Sequence, residues 1–391
     1  MSDSEPTTQS IEPLSTGSAD VASTSSDSTP FSSTSKNSKP RILLSGTPEE
    51  ILSRNTTAAP PHVVDKLVQR SGAAWSKFYK NHASQHNLAK TPDEGGRFFK
   101  DRHWCEREWG LDEVLDSEGR GEGSGERGKG KTVLEVGCGT GAFVYPLLER
   151  YPAARFVAFD FANKAVELTL SHPLHTPSSV HAFQHDLTAP LPSLHDSLRA
   201  VPPEFGEIIE KFDIVSSIFV LSAIAPNMQR KAVETLVSLL APGGSLLFRD
   251  YALHDAAQLR FHSLPSASYA AIPSLLSART EALSRSDELA SSNSPLDPSS
   301  PSSASPSSSA TAPSNPDPAH PTNLPWYKRG DNTLTYFFTP SEISAFVASA
   351  CEALGVELEG GVEVVEREMM NRKEGWGCTR KFVSGRWRRV K

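Results

Sequence analysis

Apolar positions between residues 131 and 251 fall into short uninterrupted runs separated by stretches of helical spacing, the alternation that a parallel sheet covered on both faces requires. T-V-L-E-V at 132–136 predicts a strand, G-C-G-T-G a tight turn, and A-F-V-Y-P-L-L-E-R a helix. R-F-V-A-F-D ending at Asp160 predicts a second strand, N-K-A-V-E-L the next helix, and V-H-A-F-Q-H-D ending at Asp186 a third strand. The run K-F-D-I-V-S-S-I-F-V-L from Lys211 is a fourth, apolar enough to be buried on both faces. Val233, Leu236, Val237 and Leu240 recur at i, i+3, i+4 and i+7, predicting a helix that A-P-G-G at 241–244 stops, and S-L-L-F-R-D-Y reads as the fifth strand. T-P-S-E-I-S-A-F-V-A-S-A predicts a helix with Thr339 as N-cap and Pro340 at its first position, and β-rich segments near 355–368 and 379–390 follow. The expected fold class is α/β, a mostly parallel sheet with helices on both faces and ligand sites at the carboxyl ends of its strands.

Composition divides the 391 residues further. Three biased stretches cannot bury enough apolar surface to fold, leaving about 250 residues for one large domain. The expected organisation is a disordered Ser/Thr-rich tail over 1–60, a helical extension over 61–116 and a flexible Gly/charged insertion over 117–130. A core over 131–263, a disordered Ser/Pro-rich insertion over 264–325 and the rest of the core over 326–391 complete it. Lys plus Arg is 39 against 46 for Asp plus Glu, a formal charge of −7, so any nucleic-acid surface is a local patch. No run of about 18 apolar residues occurs, which argues against a membrane span. The four cysteines stand apart with no C-x-x-C pair, so neither a disulfide framework nor a metal site is expected, and a reducing compartment is. With no apolar signal region near the start, the expected location is cytoplasmic, the nucleus not being excluded.

Chemistry gathers at the strand ends. Gly137, Gly139 and Gly141 form G-x-G-x-G after the first strand, where a missing Cβ lets the backbone turn tightly and approach a ligand. Glu135 precedes them, and Asp160 ends the second strand, where a carboxylate can accept both ribose hydroxyl protons. Asp186 closes the third strand; there a carboxylate takes an adenine amino hydrogen while the Leu187 N–H reaches a ring nitrogen. Each acid alone could equally be a helix cap or a solvated strand end. Upstream, W-S-K-F-Y-K places Trp75, Phe78 and Tyr79 on one helical face, and R-F-F-K-D-R-H-W interleaves aromatics with Arg97, Lys100, Arg102 and His103. Such a string either stacks on bases and holds phosphates or docks an amphipathic helix on the core. From Arg367 to Lys391 there are nine Lys or Arg against two Glu, either the outward face of closing strands or a phosphate track.

The set E-x-G-x-G-x-G, two strand-terminal acids and A-P-G-G before the fifth strand resembles the class I S-adenosylmethionine-dependent methyltransferases, which implies that cofactor and a Rossmann-like, seven-stranded sheet. A narrower resemblance, to the tRNA cytidine-N3 methyltransferases, spans about Ser71 to Lys391. It rests on W-x-x-F-Y-K, F-F-K-D-R-H-W, V-L-E-V-G-C-G-T-G, F-D-F-A, Q-H-D-L-T, I-F-V-L-S-A-I, F-R-D-Y-A-L-H-D, L-R-F, R-G-D-N-T with Y-F-F-T, and N-R-K-E-G. Carried over by position, the resemblance implies that Trp75 and Tyr79 close over the cofactor. Gly137 lines its methionine part, Gly139 belongs to the same cofactor site, Asp160 holds the ribose, and Asp186, Leu187 and Ile218 frame the adenine. It further implies that Phe99, Lys100, Arg102, His103, Tyr251 and Arg329 face RNA, with Arg386 and Arg388 on the basic track. Arg249 and Asp250 would be the catalytic residues, beside the target base, Asp250 being either a ligand of the exocyclic amine or a structural carboxylate.

The activity so implied is formation of 3-methylcytidine in the anticodon loop, position 32, of serine or threonine tRNAs. A seryl-tRNA synthetase or another activating subunit is a partner the resemblance admits. Two other readings stand beside it: a methyltransferase of the same fold acting on protein or a small molecule, and a non-catalytic RNA-binding subunit. Departures from the pattern are the sixteen residues between Asn81 and Phe98, Cys105 after Trp104, Asn332 in R-G-D-N-T, and the Ser/Pro insertion between Phe261 and Trp326.

Overall fold

Five of the apolar runs form the parallel strands β1 (Thr132–Val136), β2 (Arg155–Asp160), β3 (Val180–Gln184), β4 (Phe212–Ile218) and β5 (Leu240–Tyr251). The structure is a computed structural model and describes residues 45–54, 61–83, 100–116, 127–128, 130–206, 208–263, 326–371 and 376–391. A short hairpin, β6 (Tyr327–Lys328) with β7 (Leu334–Thr335), stands apart from the main sheet, which β8 (Leu358–Asn371) and β9 (Trp376–Arg389) complete. The seven strands run in the order β3-β2-β1-β4-β5-β9-β8, with β9 antiparallel to both neighbours. Strand order reverses between β1 and β4, so a crevice opens there at the carboxyl edge.

The helices are α1 (Pro48–Leu52), α2 (Pro61–Gln69), α3 (Ser71–Ala83), α4 (Trp104–Trp109), α5 (Asp112–Leu115) and α6 (Val144–Arg150). They continue as α7 (Asn163–Leu170), α8 (Leu191–Arg199), α9 (Pro226–Ser238), α10 (Ala256–Ser263) and α11 (Pro340–Leu354). Because side chains alternate across a strand, Leu134 and Val136 of β1 join the layer under α8, α9 and α11, while Val133 joins the layer under α4, α5 and α6. The N-terminus of α11 is a capping box: Thr339 and Glu342 each accept from the other's backbone N–H, and Pro340 opens the helix.

Three boundaries differ from the sequence reading. A-P-G-G does not stop α9, which ends at Ser238; it lies inside β5. The reason is a close approach: a Cβ on Gly244 would sit 2.6 Å from the Phe212 carbonyl, where the β4–β5 register slips. β3 ends at Gln184 rather than Asp186, and the acid belongs to the loop beyond it. Residues 48–52, inside the expected tail, form α1, whose capping box joins Thr47 and Glu50 and whose Ile51 and Leu52 are buried. The remaining tail to residue 44, most of 117–130 and all of 264–325 lie outside the described residues.

Candidate cofactor cleft and substrate pocket

The glycine turn after β1 folds back onto β2 because the Gly137 and Cys138 N–H groups both donate to the Phe159 carbonyl, at 2.7 and 3.1 Å. Asp160 then fastens it: Oδ2 accepts from Gly139 N at 3.1 Å and Oδ1 from Ala162 N at 2.9 Å. Gly137 has φ +66°, and a Cβ there would stand 2.4 Å from Val220 Cγ2. Burial pushes the Asp160 carboxyl up to about 6, against the pull of its two amide bonds.

Beside this turn lies a cleft of about 400 Å³ whose lining brings together Trp75, Tyr79, Gly137, Asp160, Asp186 and Leu187. The first two arrive because α3 lies on α7, where Tyr79 is buried with Ala162 and Ala165. That places the Tyr79 hydroxyl 3.1 Å from where a Cβ of Gly139 would be. Trp75 Nε1 is buried with no partner among the described residues. Asp186 is exposed, and its Oδ1 accepts from Thr188 N and Oγ1 at 2.8 and 2.7 Å.

Two residues expected there are elsewhere. Gly139 is not in the lining; it spends its N–H on Asp160. Ile218 is buried in the layer of Val133 and Ile214, since alternation along β4 turns it away from the cleft. Phe219 takes the wall position instead: leaving the strand at φ +61°, it is held by its N–H to the Arg249 carbonyl at 2.7 Å. An outlying φ at a bulky residue beside a cleft marks a constrained site; I-F-V-L-S-A-I contains Phe219, but nothing in that motif sets it above Ile218.

A second pocket, of about 360 Å³, is lined by Tyr251, Arg260, Phe261, Arg329, Phe337 and Arg380 among others. Its wall against the cleft is made of rings. Phe219 and Tyr251 are 5.0 Å apart, and the Arg329 guanidinium lies 5.1 Å from the Tyr251 ring and 6.0 Å from Trp75. Arg329 Nη2 donates to Thr335 Oγ1 at 3.2 Å, while Arg380 Nε is held by both oxygens of the buried Asp255 at 3.1 and 2.8 Å. Of these residues the resemblance assigned Tyr251 and Arg329 to RNA; Arg260 and Phe261 lie in its L-R-F motif, Phe337 in Y-F-F-T and Arg380 in the basic C-terminal stretch, with no role given to any of the four.

The other basic and acidic candidates line neither pocket. Asp250 is fully buried, its Oδ2 accepting from Ser222 N and its Oδ1 from Tyr251 N, each at 2.9 Å, and burial raises it to about 6. Arg249 is buried between the Trp104 and Phe382 rings, 4.1 and 4.8 Å away, and pairs with Glu108, which also holds Arg367. Arg102 donates to Glu135 Oε1 at 3.1 Å and its N–H to the Ala142 carbonyl at 2.8 Å, so it grips the glycine turn instead of facing solvent. Glu135 is buried and raised to about 8 by desolvation, which the Arg102 charge opposes. Arg386 donates to the Trp109 carbonyl, and Arg388 is exposed at the far edge of the sheet, opposite Ser245 and Glu359. Lys100 and His103 are exposed beside Arg102, and Phe99 lies outside the described residues. Among the described residues no cluster of His, Cys, Asp or Glu is placed to hold a metal ion, and no helix is long and apolar enough to cross a membrane.

An open sheet of this order, with a glycine turn after β1 and acids after β2 and β3 around one carboxyl-edge cleft, defines a class I methyltransferase, and residues 134–246 match the family model described as a methyltransferase domain. The tRNA N(3)-cytidine methyltransferases METTL6 of Homo sapiens and Rattus norvegicus are each 36% identical to it, over 219 and 226 residues. Those stretches are 56% and 58% of this chain and 66% and 68% of theirs, so about two thirds of each relative is spanned. The tRNA N(3)-methylcytidine methyltransferase trm141 of Schizosaccharomyces pombe is 28% identical over 331 residues, 84% of this chain and 96% of its own. The tRNA(Thr) (cytosine(32)-N(3))-methyltransferase of Saccharomyces cerevisiae is 33% identical over 204 residues, 51% of this chain and 28% of its own. The chain belongs to the tRNA N(3)-cytidine methyltransferase family.

S-adenosylmethionine is the cofactor of this fold, and the cleft fits it. Side chains at Gly137 would fill the cradle, the Trp75 indole N–H is left to donate inward, and each Asp160 oxygen keeps a lone pair after its amide bond.

Proposed function

We propose that this protein methylates N3 of a cytidine in the anticodon loop of tRNA, at position 32 of serine or threonine tRNAs. The observation that carries the reading is the wall shared by the two pockets: a cofactor cleft and a basic, aromatic pocket meet at Phe219, Tyr251, Arg329 and Trp75. Position 32 and threonine tRNA are supported by the name of the budding-yeast relative. Serine tRNA, and an activating partner such as a seryl-tRNA synthetase, belong to the same proposal; the need for a partner is read from whether the purified chain alone methylates tRNA.

Bound in the cleft, S-adenosylmethionine supplies an electrophilic methyl group on a sulfonium centre. Asp160 and Asp186 hold the nucleoside part by accepting hydrogen bonds, and Trp75 and Tyr79 cover the turn and exclude water. Cytosine N3 is unprotonated at neutral pH and carries its own lone pair, so the chain needs to orient it and not to deprotonate it. That matches a site whose buried acids are already engaged by backbone amides. N3 lies on the Watson–Crick edge, so the base enters only when unpaired and turned out, which a loop nucleotide permits. In this reading Asp250 positions Tyr251 and Ser222 and does not itself touch the base.

Nucleoside mass spectrometry of tRNA incubated with the purified chain and S-adenosylmethionine tests the proposal. The expected result is 3-methylcytidine from the wild type and none from Asp160→Ala. Transfer to protein or to a metabolite but not to tRNA would replace it with the other enzyme reading, and cofactor binding without transfer to any substrate, both with and without seryl-tRNA synthetase added, would favour the non-catalytic subunit.

A further inference from the structure

The second pocket holds three guanidinium groups and no carboxylate in its lining. Their partners differ. Arg380 is neutralised by Asp255, whose side chain is wholly buried, whereas the Arg329 guanidinium, among the described residues, donates to a hydroxyl and lies against ring faces. Arg260, on the exposed side of α10, has no ion pair among the described residues. On α10 the residues Ala257, Arg260 and Phe261 share one face, as the i+3 and i+4 spacing requires, so the charge is held over an apolar floor of Phe261 and Phe337. Two cations with no ion pair among the described residues, Arg329 feeling only the more distant charge of the buried Asp250, stand beside a cavity of this size and form a site for an anion attached to something flat.

We propose that Arg260 and Arg329 form a clamp for a phosphodiester of the RNA chain next to the target nucleotide, whose base is supported on the Tyr251 ring. This rests on the tRNA reading above and adds the residues that fix the nucleotide in register. Phosphate contacts position a nucleic acid without reading its sequence, and aromatic faces accept any base, so the pocket supplies placement while choice of base lies elsewhere. Arg329 spans the two sites, being 6.0 Å from Trp75 of the cofactor cleft and 5.1 Å from Tyr251. A phosphate drawn onto it is thereby set at a fixed distance from the methyl donor's cleft. Arg380 takes no part, since Asp255 already satisfies it.

The test compares wild type, Arg260→Gln and Arg260→Lys for binding of an anticodon-loop RNA across a salt series, alongside KM and kcat for methylation and calorimetric affinity for S-adenosylmethionine. Loss of one phosphate contact lowers the slope of log affinity against log salt by about 0.7 to 1. The expected result is that loss in Arg260→Gln, a KM for tRNA raised about fivefold to tenfold with kcat and cofactor affinity unchanged, and recovery of the slope in Arg260→Lys. An unchanged slope and KM in Arg260→Gln, with methylation of tRNA intact, would overturn the clamp while leaving the tRNA reading standing. An Arg260-dependent slope in a wild type that forms no 3-methylcytidine with or without seryl-tRNA synthetase would keep the clamp and sink the methylation reading. Binding of inorganic phosphate that Arg260→Gln abolishes, without any change in the RNA slope, would assign the pocket to a free anion and overturn the proposal.

Discussion

Asp160 carries two backbone amides and, in the proposed complex, two ribose hydroxyls, and only its ionised form can accept from all four. Burial holds its carboxyl near 6, so cofactor binding must expel a proton below that pH. Affinity for S-adenosylmethionine should therefore rise with pH up to about 6 and flatten above it, falling about tenfold for each unit below. His185 and Asp186 also line the cleft, so the assignment depends on the variant: Asp160→Asn should bind weakly and lose the step, and a step that survives would belong to a neighbour. Stability follows the opposite sign. A carboxyl raised in the folded state favours folding at low pH, and Asp160 and Asp250 both give up that advantage as pH rises from about 4 to about 6. At Gly137 the argument is steric: the left-handed φ costs an alanine about 1–2 kcal/mol, and its methyl meets Val220. Gly137→Ala should lower thermal stability and weaken cofactor binding at least tenfold by calorimetry; native-like affinity would mean that the turn does not form the cradle.

At the scale of elements, the helical extension is attached to the sheet by guanidinium groups that the resemblance offered to RNA or, for Arg249, to the target base. Arg249 of β5 holds Glu108 of α4, Arg102 holds Glu135 of β1, and Arg386 of β9 holds the last carbonyl of α4. The Glu108 pairing predicts an asymmetry. Removing Glu108 strands the buried Arg249, at about 3–5 kcal/mol, whereas removing Arg249 leaves Glu108 with Arg367 and costs less. Denaturant melts of Glu108→Ala and Arg249→Ala should show that order with kcat of the folded fraction intact; an Arg249→Ala enzyme of native stability and no kcat would instead place Arg249 at the reaction. The strands themselves were legible, because β1, β2 and β4 are buried on both faces and read as short, largely apolar runs and not as alternating ones. Partners of charged side chains were not, since Glu108 and Arg249, or Glu135 and Arg102, meet only through the fold. For the same reason the cofactor cleft, built on strand ends that carry motifs, was largely readable. The second pocket was legible only in pieces: F-R-D-Y, L-R-F, R-G-D-N-T and Y-F-F-T each contribute to it, but nothing local says that α10, the β6–β7 hairpin and β9 meet from both sides of a long insertion. The resemblance placed Ile218 at the adenine, and alternation could not correct it to Phe219, since it places a side chain only while the strand lasts and the chain leaves β4 between the two.

For the molecule as a whole, the antiparallel return of β9 decides which part of the basic C-terminal stretch can reach the substrate. Phe382 pairs with Tyr251 at the carboxyl edge and Arg388 with Ser245, so Arg388 lies about 20 Å from the pockets at some 3.3 Å per residue. Arg380 stands at the carboxyl edge but is neutralised by Asp255, and Arg386 is occupied by the Trp109 carbonyl. A stretch that looks continuously cationic in the sequence is thus divided by register into a structural middle, a far end and a near end. Charge acts on RNA through proximity, because screening at physiological salt reduces it within about 8 Å. With a short anticodon-loop RNA, Arg388→Ala should leave both affinity and the salt slope unchanged. Arg386→Ala should lower stability through the undocking of α4, with RNA affinity of the folded fraction preserved. Arg329→Ala should reduce the slope by about 0.7 to 1 and weaken binding at low salt. Equal losses for Arg388 and Arg329 would show that RNA follows the whole length of β9, and the carboxyl edge would then be only one end of the binding surface.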